Sequence, residues 1–250
     1  MQTEYFDIQT ERYSISCKLY VSGQPVRGII LGVHGLAGDK ESSALRALAS
    51  CCADKGVSLL CFDFPAHGSS EAKEDDLTVA NCISDLYEAA DWCRKKYPDA
   101  QKYLFATSFG GYVALLCSHM LNDFSIVLRA PAVTMAEHVL TDLLHTSPEE
   151  YKKQGVISCG FERKIDLPYS FYQELQAHQV SGCAHGRPML IIHGSNDDVV
   201  PLDDVVSFCD AHRDAVLKII EGADHRFKKP GEIERVVKMA LDHWGIPSDA

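Results

Sequence analysis

The sequence predicts an α/β fold, a mostly parallel twisted sheet flanked by helices, and three observations carry that reading. Short apolar runs alternate with longer stretches of helical periodicity along most of the chain, the pattern of βαβ units rather than of hairpins. Several of those runs end in loops rich in Gly, Ser, Asp and His, where open parallel sheets gather their functional groups. A length of 250 residues with 46% apolar side chains supports a single core. A chain of that size buries about 70–75% of its unfolded surface without needing disulfides or metals.

The elements follow in order. Tyr5 to Ile8 and Tyr13 to Val21 read as an antiparallel pair at a sheet edge, and Gly23-Gln24-Pro25 as a turn. Gly28 to His34 is a buried strand and Ala44 to Lys55 an amphipathic helix; Val57 to Asp63 is the next strand. Val79 to Tyr97 is a long helix ended by Pro98, which cannot continue it. Lys102 to Thr107 and Phe109 to Met120 form a strand–helix pair, and Ser125 to Arg129 is a further strand. From about Pro131 to Arg187 the alternation breaks over a span too long for a simple connection. Helical patterns at Met135 to Leu144 and Ser170 to Gln179 give this span structure of its own. The apolar runs at Met189 to Ile192 and Leu217 to Ile220 are the last strands, and Ile233 to Trp244 the last helix. Right-handed crossovers between parallel strands place helices on both faces. The expected organisation is one domain over residues 1–250 with an insertion at 131–187.

Three loops carry chemistry. In Leu104-Phe105-Ala106-Thr107-Ser108-Phe109-Gly110-Gly111 an apolar run stops at a serine and restarts as a helix, so a sharp turn lifts the hydroxyl above the sheet edge. Small residues must flank such a turn; Gly110 meets that need, and Ala106 stands where the usual pattern has its first glycine. The second loop, His193-Gly194-Ser195-Asn196-Asp197-Asp198-Val199-Val200-Pro201, places a carboxylate beyond a strand's carboxyl end. Asp197 and Asp198 compete for the role, and the spacing His-Gly-x-x-Asp-x-x-Val-Pro favours Asp197. The third, Glu221-Gly222-Ala223-Asp224-His225-Arg226-Phe227, puts His225 at a loop tip between the last strand and the last helix. Among eleven histidines it is singled out by that position. The chain order Ser108, Asp197, His225 is that of a hydrolytic triad on a parallel sheet, not of trypsin-like or subtilisin-like enzymes.

On these residues the chain resembles the α/β-hydrolases of the serine-esterase and serine-aminopeptidase type, from about Gly28 to Trp244. Two further segments share the likeness. Gly28-Ile29-Ile30-Leu31-Gly32-Val33-His34-Gly35-Leu36-Ala37-Gly38 resembles the family's strand and His-Gly loop. The resemblance implies oxyanion-hole donors at the backbone N–H groups of Leu36 and Phe109. Asp63-Phe64-Pro65-Ala66-His67-Gly68-Ser69-Ser70 resembles the family's Asp-x-x-Gly-His-Gly-x-Ser turn, with Ala66 in place of a glycine. His34 and His67 are read as holding loop geometry rather than as catalytic groups. In the family the insertion forms a lid over the serine, which makes Phe161, Tyr169, Phe171 and Tyr172 candidates for lining an acyl or aryl pocket. His138, His145, His178 and His185 in the same span are expected at the surface.

The implied activity is hydrolysis of carboxylic esters through an acyl-serine, with no cofactor and a small-molecule ester as partner. The Ala130-Pro131 step and the Gly-Ala-Asp-His loop resemble the small-lid feruloyl and cinnamoyl esterases of gut bacteria, which suggests a short-chain or aromatic acyl group. A serine at 108 excludes the carboxylate-dependent dehalogenases and the cysteine-dependent dienelactone hydrolases of the same fold. Serine aminopeptidase, monoacylglycerol lipase and thioesterase remain alternatives; a carboxylate set at Glu149, Glu150 or Glu162 would suit a free amino terminus. A slow-turnover binding protein or receptor that keeps the triad is the alternative from another class.

Composition sets outer bounds. A net charge of −11 argues against general nucleic-acid binding and against attachment to anionic membranes. No apolar run approaches the length of a membrane span. Met1 to Thr10 is polar and acidic, unlike a secretory signal, and the ten cysteines, among them Cys51, Cys52, Cys61, Cys93 and Cys117, read as reduced thiols of a cytoplasmic protein. They show no Cys-x-x-Cys spacing, so no metal site is expected. Oligomeric state is left open.

Overall fold

A computed structural model describes residues 2–23, 25–160, 163–180 and 188–248. Strand β1 (Gln2–Gln9) pairs antiparallel with β2 (Ser14–Val21), and β2 pairs antiparallel with β4 (Val57–Phe62). Strands β3 (Gly28–Val33), β5 (Gln101–Thr107), β6 (Phe124–Arg129), β9 (Met189–Gly194) and β10 (Ala215–Ile220) complete a sheet ordered β1-β2-β4-β3-β5-β6-β9-β10. Every pairing from β4 to β10 is parallel.

Both faces of the sheet are covered, which explains strands that read as continuous apolar runs instead of alternating ones. Residues alternate between two cores. Leu31, Leu60, Leu104 and Leu128 face one of them, with Leu86 of α2 (Val79–Lys96) and Val113 of α3 (Phe109–Leu116). Ile30, Leu59, Phe105 and Val127 face the other, with Leu48 of α1 (Ser43–Cys52) and Val237 of α8 (Glu232–Trp244). Helix starts follow local capping: the Thr78 hydroxyl accepts from Asn81 N–H at 3.0 Å ahead of α2, and the Ser42 hydroxyl accepts from Leu45 N–H at 3.5 Å ahead of α1. The indole N–H of Trp244 donates to the Ser125 carbonyl at 3.1 Å and ties α8 to β6.

The inserted span holds a π-helical turn at Met135–Val139 running into α4 (Leu140–Leu143), then α5 (Pro148–Gln154), a hairpin of β7 (Val156–Cys159) with β8 (Ile165–Pro168), and α6 (Tyr169–Ala177). The sequence pattern anticipates the first and last of these and misses α5 and the hairpin. The span is bolted to the body: Tyr112 donates to the His178 carbonyl at 2.6 Å, and Glu174 accepts from Val79 N–H at 2.7 Å. His138 is partly exposed and sits between Asp142 and Asp204 at 3.1 and 3.0 Å. Phe161, Glu162, His185 and Arg187 lie outside the described residues. After β9, α7 (Leu202–Ala211) returns the chain to β10. No helix among the described residues is long and apolar enough to cross a membrane.

Candidate active site

Five strand ends converge. Leu36 follows β3, Ser108 follows β5, Arg129 ends β6, Asp197 follows β9 and His225 follows β10, so their loops meet at one edge of the sheet.

Ser108 adopts φ +51° and ψ −117°, a conformation that costs a non-glycine residue about 1–3 kcal/mol and persists only where its surroundings enforce it. The enforcement is visible. Ser108 N–H donates to the Arg129 carbonyl at 3.0 Å, and the Ser108 carbonyl accepts from Tyr112 N–H at 3.0 Å and Ala132 N–H at 3.2 Å. The turn also needs Gly110, because a Cβ there would lie 2.3 Å from the His34 carbonyl oxygen.

The three singled-out side chains form one hydrogen-bonded line. Ser108 Oγ lies 3.0 Å from His225 Nε2, and His225 Nδ1 lies 2.8 Å from Asp197 Oδ2. Asp197 Oδ1 accepts from Val199 N–H at 2.9 Å and Val200 N–H at 2.7 Å, and the carboxylate is fully buried. Burial pushes its pKa up, but hydrogen bonding and charge from His225, with help from Val200 N–H and His193, hold it below the usual carboxylate value. Asp197 therefore stays ionised at neutral pH, and an anion beside Nδ1 fixes the proton there and leaves Nε2 free to accept. Asp198, the rival, points its exposed side chain into a separate polar depression with Asp142 and Glu150. That depression, about 810 Å³, contains none of the three aligned residues.

The supporting histidines keep both flanking loops in register. Phe64 N–H donates to His34 Nε2 at 3.1 Å and Ala37 N–H donates to His67 Nε2 at 2.9 Å. Their Nδ1 atoms therefore carry the protons and donate to the carbonyls of Gly35 and Pro65, each at 2.8 Å. Burial lowers the pKa of both rings, so they stay neutral. Ala66 takes φ +61°, adopting the left-handed geometry for which the usual glycine is suited. Below it, buried Asp63 accepts from Lys40 N–H and Ser69 N–H, each at 2.7 Å, and pairs with the Lys40 ammonium. A Cβ on Gly68 would strike that carboxylate at 2.1 Å. Among the described residues the N–H groups of Leu36 and Phe109 have no intramolecular acceptor, so both remain unspent donors beside the turn.

A cleft of about 570 Å³ opens at Ser108 and His225, with Leu36 on its wall. Its lining departs from the aromatic pocket expected from the sequence. Phe171 is buried against Phe109 at 5.8 Å between ring centroids, and Tyr169 and Tyr172 stack around Tyr151. None of these three lines the cleft, and Phe161 lies outside the described residues. Phe171 is the buried one, packed against the body; Tyr169 and Tyr172 are partly exposed and pack on Tyr151 of α5, within the insertion. Guanidinium groups take their place, from Arg46, Arg129, Arg163 and Arg226. The sequence did contain a signal for Arg129, a charge closing the otherwise apolar strand Phe124 to Leu128 beside Ala130-Pro131. His193 is a second residue the sequence did not single out; its Nε2 lies 3.0 Å from the Val200 carbonyl and 3.4 Å from Asp197 Oδ2, buttressing the acid.

Fold and site together define a serine hydrolase of the α/β-hydrolase class. The chain belongs to the family described as serine aminopeptidase, S33 (Hydrolase_4), whose model matches residues 24–155. Among curated proteins it is similar to the mitochondrial palmitoyl-protein thioesterase ABHD10 of Pongo abelii, at 24% identity over 220 residues, covering 83% of this chain and 70% of that one. Among solved structures it is similar to Est1E from Butyrivibrio proteoclasticus, solved with ferulic acid bound, at a TM-score of 0.83 and 22% identity over 96% of this chain and 99% of that one. The mouse alpha/beta hydrolase domain-containing protein 10 gives a TM-score of 0.77 at 17% identity, covering 97% and 98%. At such identities the structural likeness speaks for the fold alone.

Proposed function

We propose that this chain hydrolyses carboxylic esters through an acyl-serine intermediate, with Ser108 as nucleophile, His225 as general base and acid, and Asp197 orienting the imidazole. The observation that carries the reading is the unbroken line from Asp197 through His225 to Ser108 Oγ at the mouth of the cleft. As Oγ attacks the substrate carbonyl, its proton passes to His225 Nε2, and the C–O π pair moves onto the carbonyl oxygen. The N–H groups of Leu36 and Phe109 receive that oxyanion, each such donor contributing about 2.7–4 kcal/mol. Collapse of the tetrahedral adduct expels the alcohol, which takes the proton from His225. Water, deprotonated by the same nitrogen, then releases the acid and restores Ser108.

Residues 131–187 act as a lid, and Arg163 reaches from it to the cleft, donating to the Gly68 carbonyl at 2.6 Å. The acyl group is short, because the cleft is modest in volume and walled largely by polar side chains. A peptide amino terminus fits poorly: guanidinium groups around Ser108 repel an ammonium, and Glu150 lines the other depression. The nine described free cysteines suit a reducing compartment such as the cytoplasm.

The test is a kcat/KM panel of p-nitrophenyl butyrate, methyl ferulate, a butyryl thioester, a long-chain monoacylglycerol and proline p-nitroanilide. The short esters lead the panel, with many turnovers per protein molecule. A win for the anilide overturns the reading in favour of an aminopeptidase. A win for the monoacylglycerol or the thioester reassigns the substrate. A burst that stops near one equivalent identifies a binding protein that has kept the triad.

A further inference from the structure

Four of the chain's ten arginines line the cleft at Ser108 and His225, in a protein whose net charge is −11. Among the described residues two carboxylates share that wall, Asp39 and Glu41. Glu41 is already paired, with Lys18 Nζ at 2.5 Å and Tyr5 Oη at 3.1 Å. Among the described residues of the lining, arginines therefore outnumber carboxylates, against an acidic background.

Arg129 is the unusual member. It ends a central strand, where its guanidinium lies over the Phe227 ring at 5.3 Å from the centroid, and its Nε is buried with no hydrogen-bond partner. Phe227 holds a positive φ of 54°, so the wall behind the guanidinium is itself under backbone constraint. Burial lowers the Arg129 pKa to about 10, against the attraction of Asp197 and Asp224 and with the repulsion of Arg226, which still leaves it charged at neutral pH. Arg129 as a whole is partly buried, and a guanidinium whose Nε–H is shielded from water and unsatisfied is costly to keep unless something anionic completes the group. Asp197 does not complete it: its hydrogen bonds run to His225, Val199 and Val200, and none joins it to Arg129 among the described residues.

We propose that the cleft selects esters carrying a second, anionic group, a carboxylate or phosphate, with Arg129 as the residue that receives it and Arg46 and Arg226 as the cationic surround. The inference rests on the ester-hydrolase reading and deepens it. Neither a neutral acyl ester nor an aminoacyl amide uses this lining. A planar guanidinium matches a carboxylate or phosphate with two parallel N–H donors, which a lysine does not.

The test compares two esters with one leaving group, mono-p-nitrophenyl adipate and p-nitrophenyl hexanoate, which differ by a carboxylate in place of the terminal methyl. A second pair, the butyrate esters of 3-hydroxybenzoate and 3-hydroxybenzamide, moves the anion to the alcohol side. The wild-type protein prefers the anionic member of one pair by about tenfold or more in kcat/KM, as one sheltered charge-assisted hydrogen bond provides. The pair that shows the preference locates the anion on the acyl or the alcohol portion. R129M lowers that ratio at least tenfold, and R129K restores part of it; because the readout is a ratio, a general loss of rate does not imitate the result. Hydrolysis of the neutral esters with no preference for either anion overturns the proposal and leaves the esterase reading standing. A ratio unchanged in R129M removes Arg129 from the recognition. No turnover of any of the four removes the esterase reading, and this inference with it.

Discussion

Replacing Asp197 by asparagine tests the tautomer argument at its weakest joint. The carboxylate divides its work: Oδ1 takes the N–H groups of Val199 and Val200, and Oδ2 takes His225 Nδ1. An asparagine can satisfy the two backbone donors only with its carbonyl oxygen, which turns its NH2 toward His225. Nδ1 must then accept, the ring proton moves to Nε2, and Nε2 can no longer take the proton of Ser108 Oγ, 3.0 Å away. Loss of the base in a comparable triad costs about 10⁴-fold in kcat, or roughly 5.5 kcal/mol of transition-state stabilisation. The side chain of Asp198 is exposed and touches none of these groups, so D198N changes kcat/KM by less than about threefold, as a surface substitution does. The assay is p-nitrophenyl butyrate hydrolysis, with near-UV circular dichroism to show that both variants are folded. Equal losses in the two variants, or a larger loss in D198N, refute the assignment.

The protein loses stability as pH falls below about 6.5, the ordinary histidine value. His34, His67 and His193 are buried with lowered pKa, so between the unfolded value and their folded values the unfolded chain takes up protons that the folded chain refuses. Asp85, raised to about 6 by burial against the hydrogen bonds of Tyr13 and Arg12, acts in the opposite sense and cancels one of those protons. His243 is lowered as well, so the histidines outnumber Asp85 and the urea midpoint falls from pH 7 toward pH 5 at constant m-value. A flat profile from pH 7 to 5 contradicts it. K40M leaves the buried Asp63 carboxylate without its cation and destabilises the protein by about 3–5 kcal/mol, while K40M/D63N recovers part of the loss. A loss under about 1 kcal/mol in K40M shows that Asp63 tolerates its burial without Lys40.

What the sequence disclosed, and what it hid, follows the range of the forces involved. Strands β3 to β6 were legible because both faces are buried, so each is an apolar run bounded by loop residues. The Ser108 turn was legible because close approach of the His34 carbonyl leaves its mark locally, as Gly110. The β7–β8 hairpin was not: its strands are four residues each, and β7 buries little beyond Cys159. The sequence does not separate Phe171, which packs on Phe109, from Tyr169 and Tyr172, which stay partly exposed, because a packed ring and a pocket ring have the same local sequence. The gathering of Arg46, Arg129, Arg163 and Arg226 is invisible for a related reason, since they stand far apart in the chain and only the fold makes them neighbours of one cleft.

The central claim is that Ser108 is the nucleophile, activated through His225. The measurement that meets it most directly is covalent capture: incubation with a fluorophosphonate, followed by intact-mass and peptide mass spectrometry. One adduct forms per chain, on the peptide containing Ser108; it is absent in S108A and forms at least about a hundredfold more slowly in H225A, as loss of a general base requires. An adduct on another residue, or labelling that survives S108A at the same rate, contradicts the account.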